Sequence, residues 1–97
     1  MASRRYLVCY DICEPRRLRQ VAKVLQSYGV RLQYSVFECR LSDLQLAEVR
    51  RDLATILEAA EDQVLFVSLI DRNTNNQDLV ISSLGVPYTK RSVVTII

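Results

Sequence analysis

Hydrophobic positions recur at two different periods along this chain, and the switches between those periods mark out its elements. Arg5 to Ile12 (RYLVCYDI) is almost continuously apolar or aromatic, and Tyr6, Val8, Tyr10 and Ile12 favour extended backbone, so the stretch predicts a buried β-strand. Cys13-Glu14-Pro15 turns out of it, with Pro15 suited to the first position of a helix. Leu18, Val21, Ala22, Leu25 and Tyr28 then return at three- and four-residue spacing, one apolar helical face, while Arg16, Arg17, Arg19, Gln20, Lys23 and Gln26 fall mostly on the other. Gly29 is expected to end that helix in the left-handed region. Val30 to Arg40 alternates at period two: Val30, Leu32, Tyr34 and Val36 are expected to face a core, and Arg31, Gln33, Ser35 and Phe37 to form a polar face with one aromatic.

The pattern then repeats. Ser42-Asp43-Leu44-Gln45 has the form of a capping box, opening a helix expected to reach about Ala60 with Leu46, Val49, Leu53, Ile56 and Leu57 inward. Asp62 to Ile70 (DQVLFVSLI) predicts a strand that is apolar on both faces, and such a strand needs cover on both. Helices supply one cover; a second subunit is the simplest source of the other. Asp71 to Asp78 reads as a polar loop, Leu79 to Leu84 as a further strand ended by Gly85-Val86-Pro87, and Arg91 to Ile97 as a β-prone tail. Left unpaired, that tail would be an aggregation-prone edge, so it is expected to pair. A parallel three-stranded α/β unit and a ferredoxin-like layout both accommodate this order. Two helices cannot cover both faces of a parallel sheet, so the expected fold is α+β, a ferredoxin-like βαββαβ sandwich with both helices on one face of an antiparallel sheet. The 97 residues suit one domain, 1–97, with a core over about residues 4–84 and a terminal β-segment over 91–97.

Composition adds an asymmetry. The formal net charge is only +2, but residues 1–40 hold eight basic side chains against three acidic ones, and the remainder five against eight. Eleven of the thirteen cations are arginine, whose planar fork suits phosphate, so the first half leans toward a polyanion. Cys9, Cys13 and Cys39 are an odd number of thiols and, with no histidine, fall short of a four-ligand zinc site; small thiols in a reducing compartment are expected. No apolar run approaches the roughly 20 residues that span a bilayer, and MASRRYLV enters a strand without a signal-peptide core. A cytoplasmic protein without a membrane partner is expected.

The candidate chemistry centres on Asp11, a carboxylate at the C-terminal end of an apolar strand. It must be solvated, paired or bound to a cation, since burying it bare would cost several kcal/mol. With no histidine and no paired acid in one motif, side-chain acid–base catalysis has little to work with. A hard divalent cation is different: Mg²⁺ needs only one or two carboxylates, and water fills the rest. A twofold dimer with Asp11 near its axis would supply the second. Arg16, Arg17, Arg19 and Arg31 would then contact phosphate. The bland alternative is Asp11 as a turn residue, the helix arginines as a solvated face, and Arg31 in a sheet-face salt bridge.

Tyr10-Asp11-Ile12, Arg16-Arg17-Leu18 and the run Tyr28 to Glu38 (YGVRLQYSVFE) resemble the CRISPR-associated Cas2 family, over about residues 5–41. The resemblance implies a dimeric ferredoxin-like protein, a partner of the spacer-acquisition integrase. It implies Mg²⁺ (or Mn²⁺)-dependent cleavage of RNA or DNA, an adaptor role in which that chemistry is dispensable, and a terminal strand laid on the partner subunit's sheet. By position, it places the metal-binding and catalytic aspartate on Asp11 of both subunits. Substrate-binding or supporting roles fall on Tyr10, Arg16, Arg17, Arg19, Arg31, Ser35 and Phe37. A non-catalytic DNA-binding assembly module and a toxin-type endoribonuclease of the same fold stand as alternatives.

Overall fold

A computed structural model describes residues 2–69 and 80–89. The strands are β1 (Ser3–Asp11), β2 (Gly29–Gln33), β3 (Val36–Ser42), β4 (Gln63–Ser68) and β5 (Val80–Gly85); the helices are α1 (Pro15–Gln26) and α2 (Asp43–Ala54). The sheet order is β2-β3-β1-β4-β5, with every neighbouring pair antiparallel. Its first four strands have the ferredoxin-like arrangement, with the hairpin β2–β3 on one side of β1 and β4 on the other. The polar loop expected over Asp71–Asp78 and the terminal segment 91–97 lie outside the described residues, as does the start of the strand expected at Leu79.

Both helices begin where the sequence supplies an acceptor. Glu14 caps α1 by accepting from the Arg16 and Arg17 amides at 2.6 and 3.1 Å, and Pro15 follows at the first helical position. Ser42 and Gln45 form the reciprocal capping box of α2. Val21, Ala22 and Leu25 of α1 and Val49 and Leu53 of α2 are buried on one face of the sheet, against Tyr6, Val8, Tyr10, Phe37, Cys39, Leu41, Val64 and Phe66.

Three expectations are corrected. The stretch Val30 to Arg40 is not one strand but a hairpin turning at Tyr34-Ser35, with a register shift between Arg31 and Gln33. Its faces also differ from the expectation: Phe37 is fully buried beneath the helices, Val30, Leu32 and Tyr34 are 67, 51 and 76% exposed, and Gln33 pairs with Val36, so those two share a face. Period-two alternation says which residues share a face only within an unbroken strand, and never which face the helices take. Here Phe37, Cys39 and Leu41 decide it. Second, α2 stops at Ala54 rather than near Ala60, because the Glu58 amide donates to the Asp62 carboxylate at 2.9 Å instead of continuing the helical ladder. Third, Gly29 has no positive φ and opens β2, α1 being closed by Ser27. Glycine is needed at position 29 for close approach, since a Cβ there would meet the Glu38 carbonyl oxygen at 2.2 Å.

Candidate functional site

The sheet's second face carries no helix. Strand pairing places Val30, Val36, Leu7, Leu65, Val67 and Ile81 on it, aliphatic residues contributed by all five strands, together with Cys9 and the Arg5–Glu38 ion pair. Asp11 belongs to this same face, opposite Gln63 at the last β1–β4 pair, and its side chain is exposed. Among the described residues it has no hydrogen-bonding or ion-pair partner.

The backbone that presents Asp11 is held on both sides. Tyr10 donates its amide to the Ser35 carbonyl and its hydroxyl to the Tyr34 carbonyl, each at 3.1 Å, which ties the strand end to the β2–β3 turn. Two residues beyond Asp11, the Cys13 amide donates to Asp62 Oδ1 at 2.9 Å. Ser35 thus enters the site through its carbonyl. Tyr10 and Phe37 pack with ring centroids 6.1 Å apart, and the Arg31 guanidinium carbon lies 5.2 Å from the centre of the Phe37 ring. Tyr10, Ser35, Phe37 and Arg31 therefore form one contiguous group. They lie on the helix side of the sheet, however, away from the face that carries Asp11.

The arginines of α1 divide. Arg16 and Arg19 are exposed, with side chains that have no acidic partner among the described residues. Arg17 is surrounded by acids: Nε donates to Asp62 Oδ2 at 2.7 Å, and Nη2 donates to Asp62 Oδ1 at 3.3 Å and to Glu61 Oε2 at 3.0 Å. Asp62 is completely buried. Burial pushes its pKa up, but the Arg17 hydrogen bonds, the Cys13 and Glu58 amides and the Arg17 charge together outweigh it and hold the carboxyl below its ordinary range. Glu14 is also lowered, chiefly by the Arg16 amide. The cysteines are free thiols; burial raises both Cys9 and Cys39, the latter to about 11, so neither is a thiolate at neutral pH.

A sequence reading misses Asp62. It stands at the head of an apolar strand and looks like a boundary residue, and nothing local signals partners 45 and 49 positions away. The available hint is its chemistry, a carboxylate immediately beside a strand destined for the core.

The donor chemistry at Asp11 suits a hydrated Mg²⁺. It offers carboxylate oxygen, with no imidazole in the chain to favour a softer metal. Among the described residues no group of three or more acidic, cysteine or histidine side chains converges, so those residues of one subunit offer at most part of a coordination shell. No helix among them is long and apolar enough to cross a membrane.

An antiparallel ferredoxin-like sheet with both helices on one face and an exposed carboxylate at the rim of the other defines the class, a small α+β sandwich. Comparison with known proteins makes the assignment specific. The sequence model of the family described as CRISPR associated protein Cas2 matches residues 4–77, and the chain belongs to that family. The chain is 38% identical over 74 residues to the CRISPR-associated endoribonuclease Cas2 3 of Synechocystis sp., covering 76% of this chain and 80% of that one. It is 37% identical over 87 residues to the CRISPR-associated endoribonuclease Cas2 1 of Rhodospirillum rubrum, covering 90 and 83%. Among solved structures, Streptococcus pyogenes Cas2 superposes with a TM-score of 0.64 at 35% identity, covering 71% of this chain and 88% of that one.

Proposed function

We propose that this chain is a Mg²⁺-dependent endoribonuclease that works as a homodimer, in which the Asp11 carboxylates of two subunits meet near the twofold axis. The observation that carries this reading is the placement of Asp11, exposed at the rim of the uncovered apolar face. A second copy packed on that face removes its aliphatic residues from water and brings a second carboxylate to the rim. The names of the Synechocystis and Rhodospirillum relatives point to RNA as the substrate.

Asp11 of both subunits would hold the ion, with Mn²⁺ as a substitute. Bound there, it supplies activation of water and charge stabilisation for phosphodiester hydrolysis. The protein's own groups do the rest. Tyr10 and Ser35 fix the strand end. Arg16 and Arg19 present charge to the phosphate backbone, and Arg31 stacked on Phe37 offers a further guanidinium at the far side of the sheet. The test is RNA cleavage by wild type, Asp11→Asn and Asp11→Ala, with and without Mg²⁺. Cleavage that both variants retain removes Asp11 from the mechanism.

The exposed arginines of α1 favour a second role that needs no cleavage, that of a cytoplasmic adaptor joining the CRISPR spacer-acquisition integrase to DNA. Duplex binding that weakens steeply with salt and survives Asp11→Asn supports it; binding indifferent to salt counts against it.

A further inference from the structure

Arg17 follows Arg16 in sequence, and the family resemblance casts both as nucleic-acid contacts. Their surroundings are not alike. Around Arg17 the structure gathers three carboxylates, with Asp62 Oδ2 at 2.7 Å, Glu61 Oε2 at 3.0 Å and Glu14 Oε2 at 3.9 Å. A phosphate approaching this guanidinium would meet more negative charge than positive, and would have to displace bonds already made. Asp62, for its part, has no free valence. Each oxygen accepts one backbone amide and one Arg17 N–H: Oδ1 from Cys13 and Nη2, Oδ2 from Glu58 and Nε. The backbone at Asp62 is fixed too. Its carbonyl accepts from the Val86 amide at 2.8 Å, and Gly85 passes so close, at φ 78°, that a Cβ there would lie 2.1 Å from that oxygen.

One buried carboxylate therefore joins the turn after β1, the first turn of α1, the loop after α2 and the start of β4. The Cys13 amide is two residues from Asp11, and Gln63, next to Asp62, is the residue paired with Asp11. We infer that Arg17 and Asp62 are positioning residues: their ion pair holds the Cys13 turn and so fixes where β1 presents the Asp11 carboxylate, and Arg17 acts through Asp62 rather than by touching nucleic acid. The inference deepens the proposed function and rests on Asp11 as the metal-holding group. The pairing is fork to carboxylate, so lysine is a poor substitute for Arg17.

The experiment compares Arg17→Ala, Asp62→Asn, their double variant and Arg19→Ala in the full chain. Two quantities are measured: affinity for a fluorescein-labelled single-stranded RNA without metal across a salt series, and Mn²⁺ affinity from the free-ion electron paramagnetic resonance signal. Arg17→Ala is expected to leave RNA affinity within about twofold with an unchanged salt slope, whereas Arg19→Ala flattens that slope by about one contact. Arg17→Ala and Asp62→Asn should each weaken Mn²⁺ binding about tenfold, with the double variant no worse than the more severe single one. A flattened salt slope in Arg17→Ala overturns the inference, as do single effects on Mn²⁺ that multiply in the double variant. Arg17→Lys serves where the alanine variant does not fold, with the same expectations. Should Asp11→Asn bind Mn²⁺ as wild type does, the metal reading fails by itself. The clamp is then read from the amide resonances of Asp11, Ile12 and Cys13, which must move in Arg17→Ala; unmoved resonances overturn it.

Discussion

Asp11 ends β1 and Asp62 immediately precedes the neighbouring β4, at the same end of the sheet, and their surroundings have almost nothing in common. Asp11 is exposed on the bare face, with no partner among the described residues; Asp62 is completely buried on the helix side, with four hydrogen bonds. The difference follows from the faces themselves. On one, α1 and α2 exclude water, so a carboxylate survives there only with every lone pair satisfied. On the other, no helix among the described residues covers the sheet, and a carboxylate at the rim is met by solvent and needs no protein partner. One aspartate is spoken for by the fold; the other is the one the proposed function assigns to chemistry.

The comparison breaks most visibly at Asp62. Asp62→Ala leaves Arg17 facing a partly buried void and strips two amides of their acceptor, so it should destabilise the protein by about 3–5 kcal/mol and lower the melting temperature by more than about 12 °C. Thermal unfolding followed by circular dichroism measures it. A loss under about 1 kcal/mol would mean that the cluster is solvated in practice. At Asp11 the signature reverses. Asp11→Asn should reduce RNA cleavage by more than about 100-fold while shifting stability by less than about 0.5 kcal/mol, as expected of an exposed functional group. Loss of cleavage together with a melting shift as large as that of Asp62→Ala would erase the distinction.

The bare face can be tested directly. Leu65 lies on it in β4, opposite Cys9, and is half-buried. Leu65→Glu puts a charge among the aliphatic residues of that face without touching the helix-side core, and should weaken self-association by about 30-fold or more. Sedimentation velocity over a concentration series reads this as a shift from dimer to monomer. A wild type that stays monomeric at high concentration would remove the dimer from the proposed function.

Much of this was legible in the chain, and the exceptions share a cause. The sandwich could be read because helices capped at Glu14-Pro15 and Ser42-Gln45 are separated by apolar runs of strand length, and two helices can cover just one side. Asp11 could be singled out because a lone carboxylate ends an apolar strand. What could not be read is which apolar set the helices take. Val30, Leu32 and Val36 look as core-like as Phe37, Cys39 and Leu41, and packing across the sheet decides between them. The early end of α2 and the commitment of Arg17 are hidden for the same reason. Both depend on Asp62: Arg17 lies 45 positions from it, and Glu58, though only four away, gives its amide to a carboxylate whose place is set by Arg17 and the Cys13 turn.

The smallest effect expected is also the most selective between the two aspartates, and it appears on acidification. The Asp62 carboxyl is held below its ordinary value in the folded protein, so folding favours its ionised form. A group lowered in this way contributes stability that is fully present above its unfolded pKa, about 3.9, and is lost as pH falls through the lower folded value. Asp62→Asn carries no such group. The stability gap between wild type and Asp62→Asn should therefore stay level from neutral pH down to about pH 5, then narrow as the solution becomes more acidic than about pH 4. Chemical denaturation at a series of pH values measures the gap. A gap that held constant to the acid limit would show that the Arg17–Asp62 bonds do not depend on the charge of the carboxylate. A gap that opened on acidification would show that burial, which pushes the pKa up, outweighs Arg17 and the two amides.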